Sequence, residues 1–201
     1  MALPPSTNIL DTYQSLLTTF SDFLTVAIHA ILYERAIYPP STFISTRKYN
    51  FPVRQNRHPK VCKWIMDAVT AVEAEMQKGA VRRVAVVIFS PDAKPLERFM
   101  FDVSSFPEVP VEEALTEFDD GGEGAVRLGE GQKGKGFRVN LVDVEEQLRA
   151  TVRKLAYCGG KLGPLPEGCS YTVVVELKEK ADPPIGVCSR TTTAVIAANV
   201  A

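Results

Sequence analysis

Between Ile9 and Leu32 the large apolar residues return every third or fourth position: Ile9, Tyr13, Leu16, Leu17, Phe20, Phe23, Leu24, Ala27, Ile28, Ile31 and Leu32. That spacing lays one broad apolar stripe along a single long helix. It predicts a helix from about Asn8 to Tyr38, with Ser6, Thr7 and Asn8 offering N-cap oxygens and Pro39-Pro40 unable to continue it. So long and apolar a helix needs partners along its length, so it is expected to form the spine of the domain.

The chain of 201 residues is 45% hydrophobic and 23% charged, which suits one domain with a substantial core. A domain of this size buries roughly 70% of the surface of its unfolded chain and needs no covalent staples. Its 23 basic and 24 acidic residues leave a net charge of −1, which argues against broad electrostatic binding of nucleic acid. Cys62, Cys158, Cys169 and Cys188 form no CxxC pair, and only His29 and His58 could assist them, so neither a zinc site nor any cofactor is expected. Reduced thiols fit an intracellular chain. Met1 to Asn8 lacks the basic start and apolar stretch of a signal peptide, and no run of ~18 uncharged apolar residues suggests a membrane span. Cytosol or nucleus is the expected compartment.

A second helix is predicted from Pro59 to Gly79, with Val61, Ile65, Ala68, Val69, Val72 and Met76 as its stripe. Trp64 falls at the flank of that stripe, where a side chain is half-buried and keeps one face for something else. Val84 to Phe89 reads as a strand covered on both faces, and Phe99, Phe101 and Val103 as a half-buried one, joined in a hairpin through Pro91 to Pro95. Residues 104–138 turn acidic and then glycine-rich, which predicts a surface insertion. A third helix is expected from Asn140 to Cys158, with Leu141, Val144, Leu148, Val152 and Leu155 inward. Tyr171, Val173, Val175 and Leu177 alternate as a further strand, and Thr191 to Ile196 is strand-prone.

Catalytic signals are sparse. Gly129 to Gly136 matches both GxGxxG and GxxxxGK by eye. A P-loop would need Ser or Thr where Gly136 stands, and a dinucleotide loop would need a strand before the glycines. A nucleotide-binding enzyme is thus the remote alternative. His29 reads as a core imidazole and no GxSxG elbow exists. Arg47, Lys48, Arg54, Arg57 and Lys60, with Tyr49 and Phe51 among them, read as a solvated connector.

Ile31-Leu32-Tyr33-Glu34-Arg35-Ala36-Ile37-Tyr38-Pro39, then Lys48-Tyr49-Asn50-Phe51-Pro52-Val53 and His58-Pro59, combine with Val84 to Phe89, Val144 to Arg149 and Pro166 to Val173. In order and spacing this resembles the HORMA-domain family, over about Tyr13 to Lys178. The Tyr-Asn-x-Pro-Val and His-Pro pieces look more like the family's accessory subunits of translesion DNA polymerase zeta than like its spindle-checkpoint or meiotic members.

The resemblance implies an α+β fold in which three helices pack on one face of an antiparallel sheet, a single domain over 8–201 that contains the 104–138 insertion. A C-terminal safety belt would pin a captured peptide as an added strand. It implies a non-catalytic nuclear adaptor, with the cytoplasm a second compartment, and a proline-rich peptide of the polymerase zeta catalytic subunit as partner. A scaffold translesion polymerase and a second HORMA domain are the further partners it suggests. A HORMA adaptor of checkpoint or meiotic type is the nearer alternative.

Tyr38 and Trp64 match the aromatic positions that stack on the peptide's prolines, Trp64 standing where the family commonly has Tyr. Tyr171, Val173 and Val175 match the strand near the peptide, and Arg149 the contact between HORMA domains. Residues 179–201 match the belt only in part. Arg190-Thr191-Thr192 resembles the start of its closing strand, the usual Pro-Trp segment is missing, and an abbreviated belt is implied.

Overall fold

A computed structural model describes residues 9–10, 12–107, 109, 113–116 and 139–178, together with the backbone of 193–199. Helix α1 spans Tyr13–Glu34. It opens with a capping box, in which the Ser15 N–H donates to Thr12 Oγ1 at 3.1 Å and the Thr12 N–H donates to Ser15 Oγ at 3.3 Å. The cap is therefore Thr12, not the Ser6 to Asn8 group.

The helix also stops short of Tyr38. Ala36 takes φ 52°, its N–H donates to Tyr33 O at 3.1 Å, and the Ile37 N–H donates to Leu32 O at 3.1 Å. This is a Schellman turn, which satisfies the last carbonyls before the prolines are reached. An alanine in the left-handed position carries no sequence signal of that stop.

α1 is long and apolar enough to cross a bilayer by composition alone. Here that apolar surface is spent on packing: Leu17, Leu24, Ala27, Ile28, Ile31 and Leu32 are fully buried.

Strands β2 (Phe43–Lys48) and β3 (Phe51–Asn56) form an antiparallel hairpin against α1. The basic stretch read as a connector is thus a strand pair. Its two-residue turn is Tyr49-Asn50, with φ of 51° and 54°, the left-handed pair that matches strand twist. Arg54 lies over the Tyr33 ring, 5.1 Å from its centroid. Lys48 pairs with Asp22 at 2.7 Å.

Helix α2 (Pro59–Gln77) buries Val61, Ile65, Ala68, Val69, Val72 and Met76, the stripe read from the sequence. Gly79 follows it at φ 68°. Helix α3 (Leu141–Leu155) starts at Asn140, whose Oδ1 accepts from the Val142 N–H at 2.9 Å. It ends three residues earlier than expected, before a 3-10 turn at Cys158–Gly160. Within it Val152 is fully buried, whereas Leu141, Val144, Leu148 and Leu155 are half-buried on the core.

The main sheet contains β4 (Val81–Phe89), β5 (Pro95–Asp102), β7 (Ser170–Leu177) and β8 (Thr193–Asn199), in the order β5-β4-β7-β8 and antiparallel throughout. A small pair, β1 (Ile9–Leu10) with β6 (Val139–Asn140), ties the chain before α1 to the start of α3. β4 is central, which explains its unbroken apolar run. Phe23 of α1 meets Phe101 of β5 edge to face at 5.6 Å. The long helix therefore lies between the sheet and the β2–β3 hairpin, with α2 and α3 beside it.

Of the segment 104–138, Phe106 packs on Phe20 at 5.6 Å and Ala114 O accepts from the Gln14 N–H at 3.0 Å. Residues 117–138, including the Gly129 to Gly136 tract, lie outside the described residues. So does most of the segment read as the belt, 179–192 and 200–201.

Candidate functional site

Tyr171 opens the inward face of β7 and is fully buried, as are Val173 and Val175 after it. Two other elements converge on its ring. Trp64, from α2, meets it edge to face with centroids 4.7 Å apart and planes at 79°. Tyr38, from the turn after α1, meets it at 6.3 Å and 88°. Such T-shaped contacts place a ring's positive edge on a neighbour's negative face. Trp64 and Tyr38 are both half-buried.

The resemblance implied Tyr38 and Trp64 together as peptide-stacking rings and Tyr171 on the strand near that peptide, and the structure brings the three side chains into one cluster. Nothing in the local pattern announces that meeting, because the three stand 26 and 107 residues apart along the chain.

The outer edge of β7 pairs with the chain's own β8, from Tyr171 opposite Asn199 to Glu176 opposite Thr193. The ladder shifts register between Val173 and Val174. β8 also runs close to α2, the helix that carries Trp64. Thus residues 193–199 fill the backbone position that an added strand would take.

Two buried polar contacts hold the cluster in place. The Arg35 guanidinium donates to both oxygens of Glu97, at 2.8 and 2.6 Å, and to Gly163 O at 2.6 Å. This fork ties the end of α1 to β5 and to the loop before β7, and so sets where Tyr38 leaves the helix.

The other contact centres on His29, whose Nδ1 accepts from the Asn56 N–H at 3.2 Å. Burial pulls His29 down to about 4, so the ring is neutral. The Asn56 side chain accepts from the His58 N–H at 2.8 Å and donates to Thr42 Oγ1 at 3.0 Å. His29 therefore pins the end of β3 and the entry to α2.

Arg149 sits elsewhere, on α3, with Nη2 3.4 Å from Glu146 Oε1 and 38% of its side chain exposed. Among the described residues no group of three or more His, Cys, Asp or Glu could hold a metal ion. Cys62, Cys158 and Cys169 are free thiols. Burial pushes Cys158 and Cys169 up, away from the reactive thiolate.

The family model of the HORMA domain matches residues 17–186.

The chain belongs to the HORMA-domain family.

Among curated HORMA-type relatives, it is 32% identical over 160 residues to the cattle (Bos taurus) protein called mitotic spindle assembly checkpoint protein MAD2B, covering 80% of this chain and 64% of that one. It is 33% identical over 160 residues to the Arabidopsis thaliana DNA polymerase zeta processivity subunit, covering 80% and 62%. The fission yeast (Schizosaccharomyces pombe) protein of the same name is 43% identical over 91 residues, covering 45% and 43%. The chain thus spans less than two thirds of the length of these relatives.

Among solved structures, the mitotic checkpoint complex contains a chain that superposes with a TM-score of 0.61 at 21% identity, covering 86% of this chain and 80% of that one. C. elegans HTP-1 bound to the HIM-3 closure motif gives 0.57 at 15%, covering 90% and 80%. At such identities the likeness speaks for the fold alone: the HORMA arrangement of three helices on an antiparallel sheet.

Proposed function

We propose that this HORMA chain is a non-catalytic adaptor that captures a proline-rich peptide from the catalytic subunit of DNA polymerase zeta, in the nucleus, for translesion synthesis. The observation that carries the reading is the convergence of Trp64 and Tyr38 on Tyr171 at the inner face of β7. Two half-buried rings beside a strand suit proline, whose flat apolar ring packs on aromatic faces while the peptide backbone adds to the sheet. The relatives named as polymerase zeta processivity subunits support the choice of partner. HTP-1 holding a closure motif supports the choice of binding mode. Arg149 is the contact we assign to a second HORMA domain, and a scaffold translesion polymerase is a further partner of this reading.

Capture on β7 has one physical requirement. The edge is paired with β8, so an incoming strand must replace residues 193–199 and regain their backbone hydrogen bonds. The net gain then comes from side chains, which makes the aromatic rings the selective element.

The test is a titration of this chain with a proline-rich peptide of the polymerase zeta catalytic subunit, followed by fluorescence anisotropy. Submicromolar binding, stronger than that of checkpoint or meiotic closure peptides, is expected. Preference for a closure peptide without prolines would overturn the choice of partner.

A further inference from the structure

The end of α1 and the loop before β7 enclose a cleft of about 420 Å³ next to the aromatic cluster. Ile37, Pro164, Leu165 and Pro166 make its walls apolar, and Glu34 and Glu167 add two carboxylates. Arg35 also lines it, but its charge is already taken up by the fork on Glu97 and Gly163 O. The cleft therefore combines apolar walls with two carboxylates beyond the Arg35–Glu97 pair.

Glu34 is the unusual member. It is half-buried, and among the described residues no hydrogen bond or ion pair reaches its carboxylate. Burial raises its pKa, with Arg54 and Arg35 only partly offsetting the effect. Its position is held from behind: a Cβ on Gly159 would stand 2.9 Å from Glu34 O and 3.2 Å from Glu34 Oε2, so only glycine lets that turn lie against it.

Along the chain, the cleft's lining residues run up to the proposed groove. Ile37 in its wall directly precedes Tyr38, and Cys169 in its lining stands two residues before Tyr171. Asn199, near the end of β8, pairs with Tyr171, so a strand that follows the path of β8 runs on past Tyr171 toward the cleft.

We infer that the cleft takes a lysine or arginine side chain of the captured peptide, from a position just beyond the residue that pairs with Tyr171. This rests on the peptide-capture reading. The aliphatic stem lies along Ile37, Leu165 and the two prolines, and the cation faces Glu34 and Glu167. A basic group pairs with those two carboxylates, whereas an acidic residue is repelled by them.

Versions of the same polymerase zeta peptide carrying lysine, norleucine or glutamate at the positions flanking the proline-rich core, on either side, test this on the full chain. Lysine on one side is expected to bind about fivefold tighter than norleucine at low salt, and glutamate more weakly than both. The preference should shrink at 0.5 M salt (about three times shorter screening length than at 0.05 M) and collapse in Glu34→Gln. Equal binding of lysine and norleucine versions on both sides, with Trp64→Ala still weakening them, would overturn the cleft assignment alone. Binding indifferent to Trp64→Ala would remove Trp64 from the site, and no binding by any version would overturn the capture reading and the cleft assignment with it.

Discussion

Trp64 and Tyr171 meet edge to face, 4.7 Å between ring centroids, although 107 positions separate them in the chain. Tyr171 is fully buried and Trp64 half-buried, so one ring belongs to the core and the other spans core and surface. Substitutions should separate these roles. Trp64→Ala is expected to weaken peptide binding by ~1–3 kcal/mol while the domain stays folded. Trp64→Tyr should keep most of the affinity. Tyr171→Ala, by contrast, should lower unfolding stability by ~3–5 kcal/mol, since it empties a filled core position. Anisotropy titration and urea unfolding of the same variants measure the two effects. An unchanged affinity in folded Trp64→Ala removes Trp64 from the site.

The Arg35–Glu97 pair has side-chain exposures of 4% and 15%. Removing one partner strands a charge in a low-dielectric site, so Glu97→Ala should cost ~3–5 kcal/mol in urea unfolding. The double variant Arg35→Met, Glu97→Leu should recover a large part of that loss, because it leaves no lone buried charge. If the double variant is as unstable as the sum of the singles, charge burial is not the cause.

His29 makes stability fall with acid. The folded chain keeps it neutral down to about pH 4, whereas the unfolded chain protonates near the ordinary histidine value of 6.5. Between those values the unfolded state binds the extra proton, so stability is full above pH 6.5 and declines as pH drops toward 4. The complete loss amounts to ~3 kcal/mol at 1.36 kcal/mol per pKa unit. His29→Gln cannot titrate and should flatten that slope between pH 7 and 4.5. An identical slope in wild type and His29→Gln, by chemical denaturation at several pH values, would refute the assignment.

Tyr49 sits in the hairpin turn with its ring buried, and its hydroxyl has no hydrogen-bond partner among the described residues. Burial raises its pKa, and Asp22 and Glu145 add to the effect, so the phenol stays protonated. Deleting an unsatisfied buried hydroxyl removes its desolvation cost, so Tyr49→Phe should raise stability by ~1 kcal/mol. A loss of stability would mean that the hydroxyl is satisfied by solvent.

Much of the framework could be read directly from the chain. The stripes of α1 and α2, the Asn140 cap of α3, the apolar run of β4 and the alternation of β7 are local periodicities, and each reports the face an element buries. Trp64 was placed at the edge of its stripe by the same arithmetic, and it is half-buried.

Two features were hidden by unusual local residues. The β2–β3 hairpin turns on Tyr49-Asn50 without a glycine, and its arginines and lysines made it look like a solvated connector. The early end of α1 uses Ala36 where a glycine would have advertised it.

Pattern along the chain determined which residues face inward, because burial period is a property of each helix or strand alone. The partners they meet were decided only by the tertiary structure. Arg35 with Glu97, Tyr38 and Trp64 with Tyr171, and β8 along β7 are contacts between distant segments. Their energies depend on distance and burial, and folding alone sets both.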